Sequence, residues 1–403
     1  MKYVVLIADG MADYKVPQLS NKTPMECAKK PCADFLARSA KVGTVLNVPI
    51  GMVPESDTAN LAILSYDPKV YSKGRSPLEA VSMGLKMGEC DTAFRCNVVT
   101  ISEDEANYED KIMVDHSADE ISTAEASELV LAIDKELGNE FRRFYPGVSY
   151  RHCLLWENAP MCEFMRPHDI IGKRIGDYLP SGKDKDVFID MMKRSYEILS
   201  KHPVNLARKK AGKKPANTIW LWSPGKKPAL PSFEDKWGIR GAVISAVDLI
   251  KGIGICAGMT SIDVCGATGN INTNFRGKAD AAINALKNGY DFVFIHVEAP
   301  DECGHRAEIE NKVLSIEKID SDILKPVYEH LKNSGEDFKI VFLPDHPTPL
   351  KLRTHSSEPV PYFIYDSRRK YNGVDTFTEQ TAEDKNSYLP CGYDLLSQVI
   401  EKE

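Results

Sequence analysis

The chain has 403 residues, 43% hydrophobic and 27% charged, with a formal net charge of -7. That length allows about two to three domains with a large core, and the acidic balance argues against a nucleic-acid partner. No apolar run approaches the roughly 20 residues needed to cross a bilayer, and the ten cysteines are scattered without a CxxC pair, so neither a zinc ribbon nor a disulfide framework is indicated.

Met1 to Asp9 reads as a first strand rather than a signal segment, because its apolar stretch is short and meets an acid at position 9. A cytoplasmic protein is therefore expected. Asp9-Gly10 stands where the strand runs out, which is where open α/β sheets bind ligands. In Gly51 to Leu64 the apolar run after Ser56 predicts a helix with Ser56 at or near its N-terminus. Free N–H groups there favour an alkoxide or a phosphate, although Ser at such a place is usually a simple cap. Gly74 to Ala80 opens a further helix with Pro77 in its first turn.

From about Phe94 the texture changes. Phe94–Ile101 and Lys111–Asp115 read as strands, Thr123–Leu137 as an amphipathic helix and Gly147–Trp156 as one strand. Asp184–His202 reads as a helix leading into the basic stretch Arg208–Pro215, taken as a polar linker. Residues 90–211 are thus expected to form an inserted α+β domain, with 1–89 and 212–403 forming the core domain. Arg95, Arg151 and His152 are the insert's candidates for an anionic substrate, since guanidinium pairs bidentately with carboxylate or phosphate.

Beyond the linker, strands are expected at 217–222, 261–265, 291–297 and 339–343, and helices at 241–251, 280–287 and 308–332. Such alternation marks a mostly parallel sheet with helices on both faces. Neither GxGxxG nor GxxxxGK[ST] occurs, so no dinucleotide or P-loop site is indicated. The strand ending at Val297 delivers Asp301 and His305, four residues apart, so one helical turn aims both at one ion. The strand ending at Leu343 delivers Asp345, His346 and, after a proline-stiffened loop, His355. His296, inside its strand, reads as a hydrogen-bonded core histidine or a support for a ligand. Asp9, Ser56, Asp301, His305, Asp345, His346 and His355 together are seven oxygen and nitrogen donors without a thiolate. They are enough for two divalent ions such as Mn²⁺, Mg²⁺ or Zn²⁺ straddling a hydroxyl nucleophile.

These motifs resemble the cofactor-independent phosphoglycerate mutases of the archaeal type, within the alkaline phosphatase superfamily. The matching segments are Ile7-Ala-Asp-Gly10, Ser56-Asp-Thr-Ala59, Gly74 to Ala80, Phe94-Arg-Cys-Asn97, Tyr145 to His152, His202-Pro-Val-Asn205, Gly241 to Gly254, Gly266-Ala-Thr-Gly269, His296 to His305 and Leu343 to His355. The resemblance implies an alkaline-phosphatase-like α/β core, with Ser56 as the phosphorylated nucleophile. It also implies two metal sites, one of Asp301, His305 and His355, the other of Asp9, Ser56, Asp345 and His346. Mn²⁺ is the leading ion, with Mg²⁺, Zn²⁺ or Co²⁺ as alternatives. The implied substrate is a small phosphorylated acid, 3-phosphoglycerate, with Arg95, Arg151 and His152 brought to it by the insert. His152, at an ordinary imidazole pKa near about 6.5, would shuttle a proton to the glycerate hydroxyls. Two positions depart from the archaeal pattern, Glu55 in place of Gly and Asn60 in place of His. Asn60 resembles a bacterial branch labelled as proposed homoserine kinases, so a homoserine phosphotransferase, or a phosphatase or phosphodiesterase, is the alternative reading.

Overall fold

The apolar, β-branched run Lys2–Ala8 is buried at every position and lies inside an eight-stranded sheet in the computed structural model, which describes residues 1–401. In chain order the strands are β1 Lys2–Ala8, β2 Lys41–Val45, β3 Asp91–Ile101, β4 Met113–Asp115, β5 Arg142–Val148, β6 Arg151–Glu157 and β7 Thr218–Lys226. They continue as β8 Gly241–Ile244, β9 Thr260–Ser261, β10 Phe292–Val297, β11 Phe338–Leu343, β12 Val360–Asp366 and β13 Tyr388–Leu389. The large sheet has the order β13-β2-β12-β11-β1-β10-β8-β9. β11, β1, β10, β8 and β9 run parallel, and β12 lies antiparallel to both β11 and β2. The mostly parallel α/β sheet expected from the alternating pattern is present.

Helices cover both of its faces. Val4, Leu6 and Ala8 pack with Ala279 and Ala282 of the Phe275–Lys287 helix and with Ala33 and Leu36 of the Pro31–Ala37 helix. On the opposite face the Asp248–Cys256 helix comes so close that a Cβ on Gly254 would lie 2.4 Å from Val243 Cγ1. Only glycine permits that approach. Register then fixes where the site must form. Ile7 pairs with His296 of β10 and with Leu343 of β11, so three parallel strands end level with one another.

The chain divides into two compact units, residues 1–72 with 229–403, and residues 73–228. Both edges of the smaller unit lie outside the expected 90–211. Thr218–Lys226 does not resume the large sheet; it pairs antiparallel with β3 along Thr92–Val99. The basic stretch is no linker either. Pro203–Lys210 is a helix whose Arg208 is buried, paired with Glu125 at 2.9 Å and bonded to the carbonyls of Ala118 and Lys214. Basic composition here marks a satisfied interior arginine, not a solvated connection.

Within the smaller unit β3 pairs with β4, β6 and β7, and β6 with β5, all antiparallel. The stretch read as one strand over 147–156 is a hairpin, because Ser149 turns the chain with φ 54. In the larger unit, the span 241–251, expected to be helical, opens instead with β8, since Gly241–Ile244 is buried at every position and pairs with β10. The long helix at 308–332 is realised as Ile309–Lys318, a π-helical segment Ile319–Leu324, and Lys325–Ser334. No helix among the described residues is long and apolar enough to cross a membrane.

Candidate active site

All seven donors expected from the sequence belong to the larger unit, and the level ends of β1, β10 and β11 bring them together. Asp9 continues β1, its N–H donating to Val297 O at 3.0 Å. Gly10 then turns the chain with φ +62, and its N–H reaches Asp345 Oδ1 at 3.2 Å. Asp301 and His305 occupy successive turns of the Ala299–Arg306 helix, with His305 Nε2 3.2 Å from Asp301 Oδ2.

His305 Nδ1 lies 3.0 Å from Arg353 O, and His355 Nδ1 lies 2.7 Å from Pro54 O. A carbonyl only accepts, so both Nδ1 atoms carry protons. Both Nε2 atoms then point inward, 3.0 Å apart, with His355 Nε2 3.4 Å from Asp301 Oδ1. Two lone pairs facing each other beside a carboxylate are repulsive unless a proton or a cation lies between them. Hydrogen bonding to Asp301 holds His305 up to about 9. Burial pushes His355 down, but bonding to Asp301 outweighs it and leaves that imidazole raised. Burial pushes Asp301 up, yet its bonds from His305 and His355 hold it well below the usual carboxylate range. A proton held between the two rings supplies positive charge that this donor set demands, and a divalent ion fits the same place.

The neighbouring cluster is Asp9, Asp345 and His346, all buried, with ligand atoms within 4.8 Å of one another. Asp9 Oδ2 lies 3.0 Å from His296 Nε2, while its buried Oδ1 has no hydrogen-bond partner among the described residues. Burial, reinforced by the charges of Asp345 and Asp301, pushes Asp9 well above its ordinary range. Burial likewise holds His296 down to about 3, so it faces Asp9 as a neutral ring. An orphaned buried oxygen among three carboxylates fits a cation, because an unsatisfied buried acceptor is otherwise costly. Divalent ions thus suit both clusters by their own chemistry.

Ser56 is the first residue of the Ser56–Ile63 helix. Its Oγ lies 3.2 Å from His346 Nε2. The N-cap is Glu55, whose side chain makes no capping bond, so Ser56 is not the simple cap that its type favours.

Several residues support these donors, and of them the sequence singled out only Asn60, as a departure from the archaeal pattern and without this role. Asn60 donates to Asp345 Oδ2 and to Ser56 O, each at 2.8 Å, and so joins nucleophile and carboxylate. Its spacing from Ser56, one helical turn, was the available signal. Asn47 donates to Asp345 O at 2.9 Å. Glu298 adds a carboxylate within 4.8 Å of Asp9 and Asp301. Thr348 donates to Asp301 Oδ1.

Arg95, Arg151 and His152 lie in the smaller unit. Arg95 is bound in two places by Glu79 and stacks 4.7 Å above Trp222, so it holds its own unit together rather than standing open for an anion. Arg151 is exposed, over the Tyr150 ring at 5.4 Å. His152 is buried, with Nδ1 accepting from Gly147 N–H at 3.0 Å. Burial pushes it down to about 3, far from the ordinary value expected for a shuttle.

A family model described as 2,3-bisphosphoglycerate-independent phosphoglycerate mutase matches residues 37–205. A protein of that description from Methanosarcina barkeri is 46% identical over 404 residues, covering 100% of both chains. Among solved structures, a Pyrococcus horikoshii protein superposes with TM-score 0.81 at 28% identity, over 99% of this chain and 96% of that one. The cofactor-independent phosphoglycerate mutase of Thermoplasma acidophilum superposes with TM-score 0.67 at 26% identity, over 99% of each.

Proposed function

The chain belongs to the 2,3-bisphosphoglycerate-independent phosphoglycerate mutase family, and from that premise we propose that it interconverts 3-phosphoglycerate and 2-phosphoglycerate through a phosphoserine at Ser56. The observation that carries the reading is the Ser56 hydroxyl at an uncapped helix start, 3.2 Å from His346 and beside two carboxylate–imidazole clusters. Asp301, His305 and His355 would hold one divalent ion, and Asp9, Ser56, Asp345 and His346 the other, with Mn²⁺ the first ion to test. Such ions supply Lewis acidity toward phosphoryl oxygens and an acidified serine hydroxyl.

The chain's own residues do the rest. Ser56 Oγ attacks phosphorus, the bond to the glycerate 3-oxygen breaks, and that oxygen takes a proton. The N–H groups at the helix start favour the phosphoryl anion. Asn60 keeps Ser56 and Asp345 in register while the 2-hydroxyl gives up its proton and attacks phosphoserine. Water must be kept out at that stage, since hydrolysis would make the enzyme a phosphatase. Arg151 is the proposed grip for the glycerate carboxylate. His152, neutral and with Nδ1 accepting from Gly147 N–H, carries its proton on Nε2 and would offer the glycerate a hydrogen-bond donor there. All ten cysteines are free, which suits a reducing, cytoplasmic setting.

Purified protein with Mn²⁺ and 3-phosphoglycerate should yield 2-phosphoglycerate without free phosphate, and Ser56→Ala should abolish this. Free phosphate instead would indicate a phosphatase. ATP-dependent O-phosphohomoserine formation without mutase turnover would replace the reading by a homoserine kinase.

A further inference from the structure

Thr348 sits at the contact between the two donor clusters, and everything around it is built to keep it there. Its hydroxyl donates to Asp301 Oδ1 and lies 3.3 Å from His346 Nδ1, so it touches one member of each cluster. The residue is fully buried. Its carbonyl accepts from Lys312 Nζ at 2.7 Å, and its N–H donates to Ala12 O at 3.2 Å. Lys312 is itself buried and paired with Asp13 at 2.7 Å, while Asp13 accepts from Leu350 N–H at 3.1 Å, two residues beyond Thr348. Two glycines leave the slot open. A Cβ on Gly10 would come within 2.5 Å of Thr348 Oγ1, and one on Gly304 within 2.5 Å of Thr348 O.

A hydroxyl has one proton to give. Because Thr348 gives it to Asp301, its contact with His346 requires the proton there to sit on Nδ1. His346 Nε2 is then left with its lone pair toward Ser56 Oγ, and toward Asp9 Oδ1 at 3.7 Å and Asp345 Oδ2 at 3.5 Å. We propose that Thr348 is a positioning residue that fixes the His346 tautomer and ties it to Asp301, so that the two donor clusters are set as one unit. The inference rests on the reading of Asp301 and His346 as ion-holding residues. A buried ammonium–carboxylate pair gains little stability over apolar side chains of the same size. Here the Lys312–Asp13 pair earns its place by holding the loop that carries Thr348.

The test compares Thr348→Val, which keeps the shape without the hydroxyl, with Thr348→Ser, which keeps the hydroxyl. Mn²⁺ binding is followed by electron paramagnetic resonance, without substrate. Removing such an outer hydrogen bond should weaken Mn²⁺ binding ~10–100-fold in the valine variant, and the serine variant should stay within about threefold of the parent. Equal binding by parent and valine variant, equal loss in both variants, or no Mn²⁺ binding by the parent overturns the inference. Should the valine variant not fold, ¹⁵N chemical shifts of His346 in the metal-free parent decide: protonated Nδ1 supports it, protonated Nε2 refutes it. Mn²⁺ binding without mutase turnover would sink the proposed reaction alone and leave this inference standing.

Discussion

His152 makes the acid side of the stability profile measurable. Its imidazole is buried in the smaller unit, its Nδ1 accepts from Gly147 N–H, and its pKa is held down to about 3 from an ordinary 6.5. The unfolded chain takes up a proton near pH 6.5 that the folded chain refuses. The contribution is therefore complete above 6.5 and is lost as pH falls toward 3. A full proton of difference is worth ~1.4 kcal/mol per pH unit, so from pH 6.5 to 4.5 this one group should cost ~2–3 kcal/mol. His152→Gln keeps an acceptor for Gly147 and has nothing to titrate there. Trp156, Trp220 and Trp222, three of the four tryptophans, lie in the smaller unit, so urea unfolding followed by tryptophan fluorescence reports on it. The difference between parent and variant should shrink or reverse steadily as pH falls through this range. Parallel profiles for the two proteins would refute the buried neutral imidazole, and with it the placing of its single proton on Nε2.

Asn60→Ala removes the donor to Asp345 Oδ2; Mn²⁺ affinity should fall ~10–100-fold with unchanged circular dichroism, and parent-like affinity would remove Asn60 from the site. Lys312→Met strands the Asp13 carboxylate in the interior, at a cost of ~3–5 kcal/mol in chemical denaturation. Asp13→Asn added to it should recover part of that loss, whereas simple additivity of the two would deny the coupling. Stripping divalent ions with a chelator should lower the melting temperature, and Mn²⁺ at about 100 times its dissociation constant should restore ~2.7 kcal/mol. An unchanged melting curve would argue that neither cluster takes an ion.

The donors were readable because strand ends announce themselves. Asp9, Asp301 and Asp345 each come shortly after a short apolar run, and parallel strands in one sheet deliver the residues at their C-terminal ends to one edge. The supporting contacts were not readable, since Asn60 meets Asp345 across 285 positions and Lys312 meets Asp13 across 299. No local pattern carries such a contact. Local chemistry also misled where two elements share one texture. Gly241–Ile244 is too short to show its alternation before the next helix begins, and the charges of Pro203–Lys210 hid a helix with an interior arginine. The boundary error had the same origin, because residues 219–222, in the first half of Thr218–Lys226, are as apolar and as buried as a strand of the large sheet. Which sheet a strand joins is decided by its partner, β3, and not by its own composition.

The hydrogen bond from His355 Nδ1 to Pro54 O has a bearing on what lengths of chain the site tolerates. Pro54 stands two residues before Ser56, so the backbone approaching the nucleophile is also a fitting for one of the imidazoles. The span from Pro54 to Ser56 behaves as a spacer of fixed gauge. Adding or deleting a residue within it would move the serine hydroxyl and the His355 ring in opposite senses, whereas the exposed turn around Gly51 lies outside the gauged span. Variation in length among related chains should therefore collect before Pro54 and stop there.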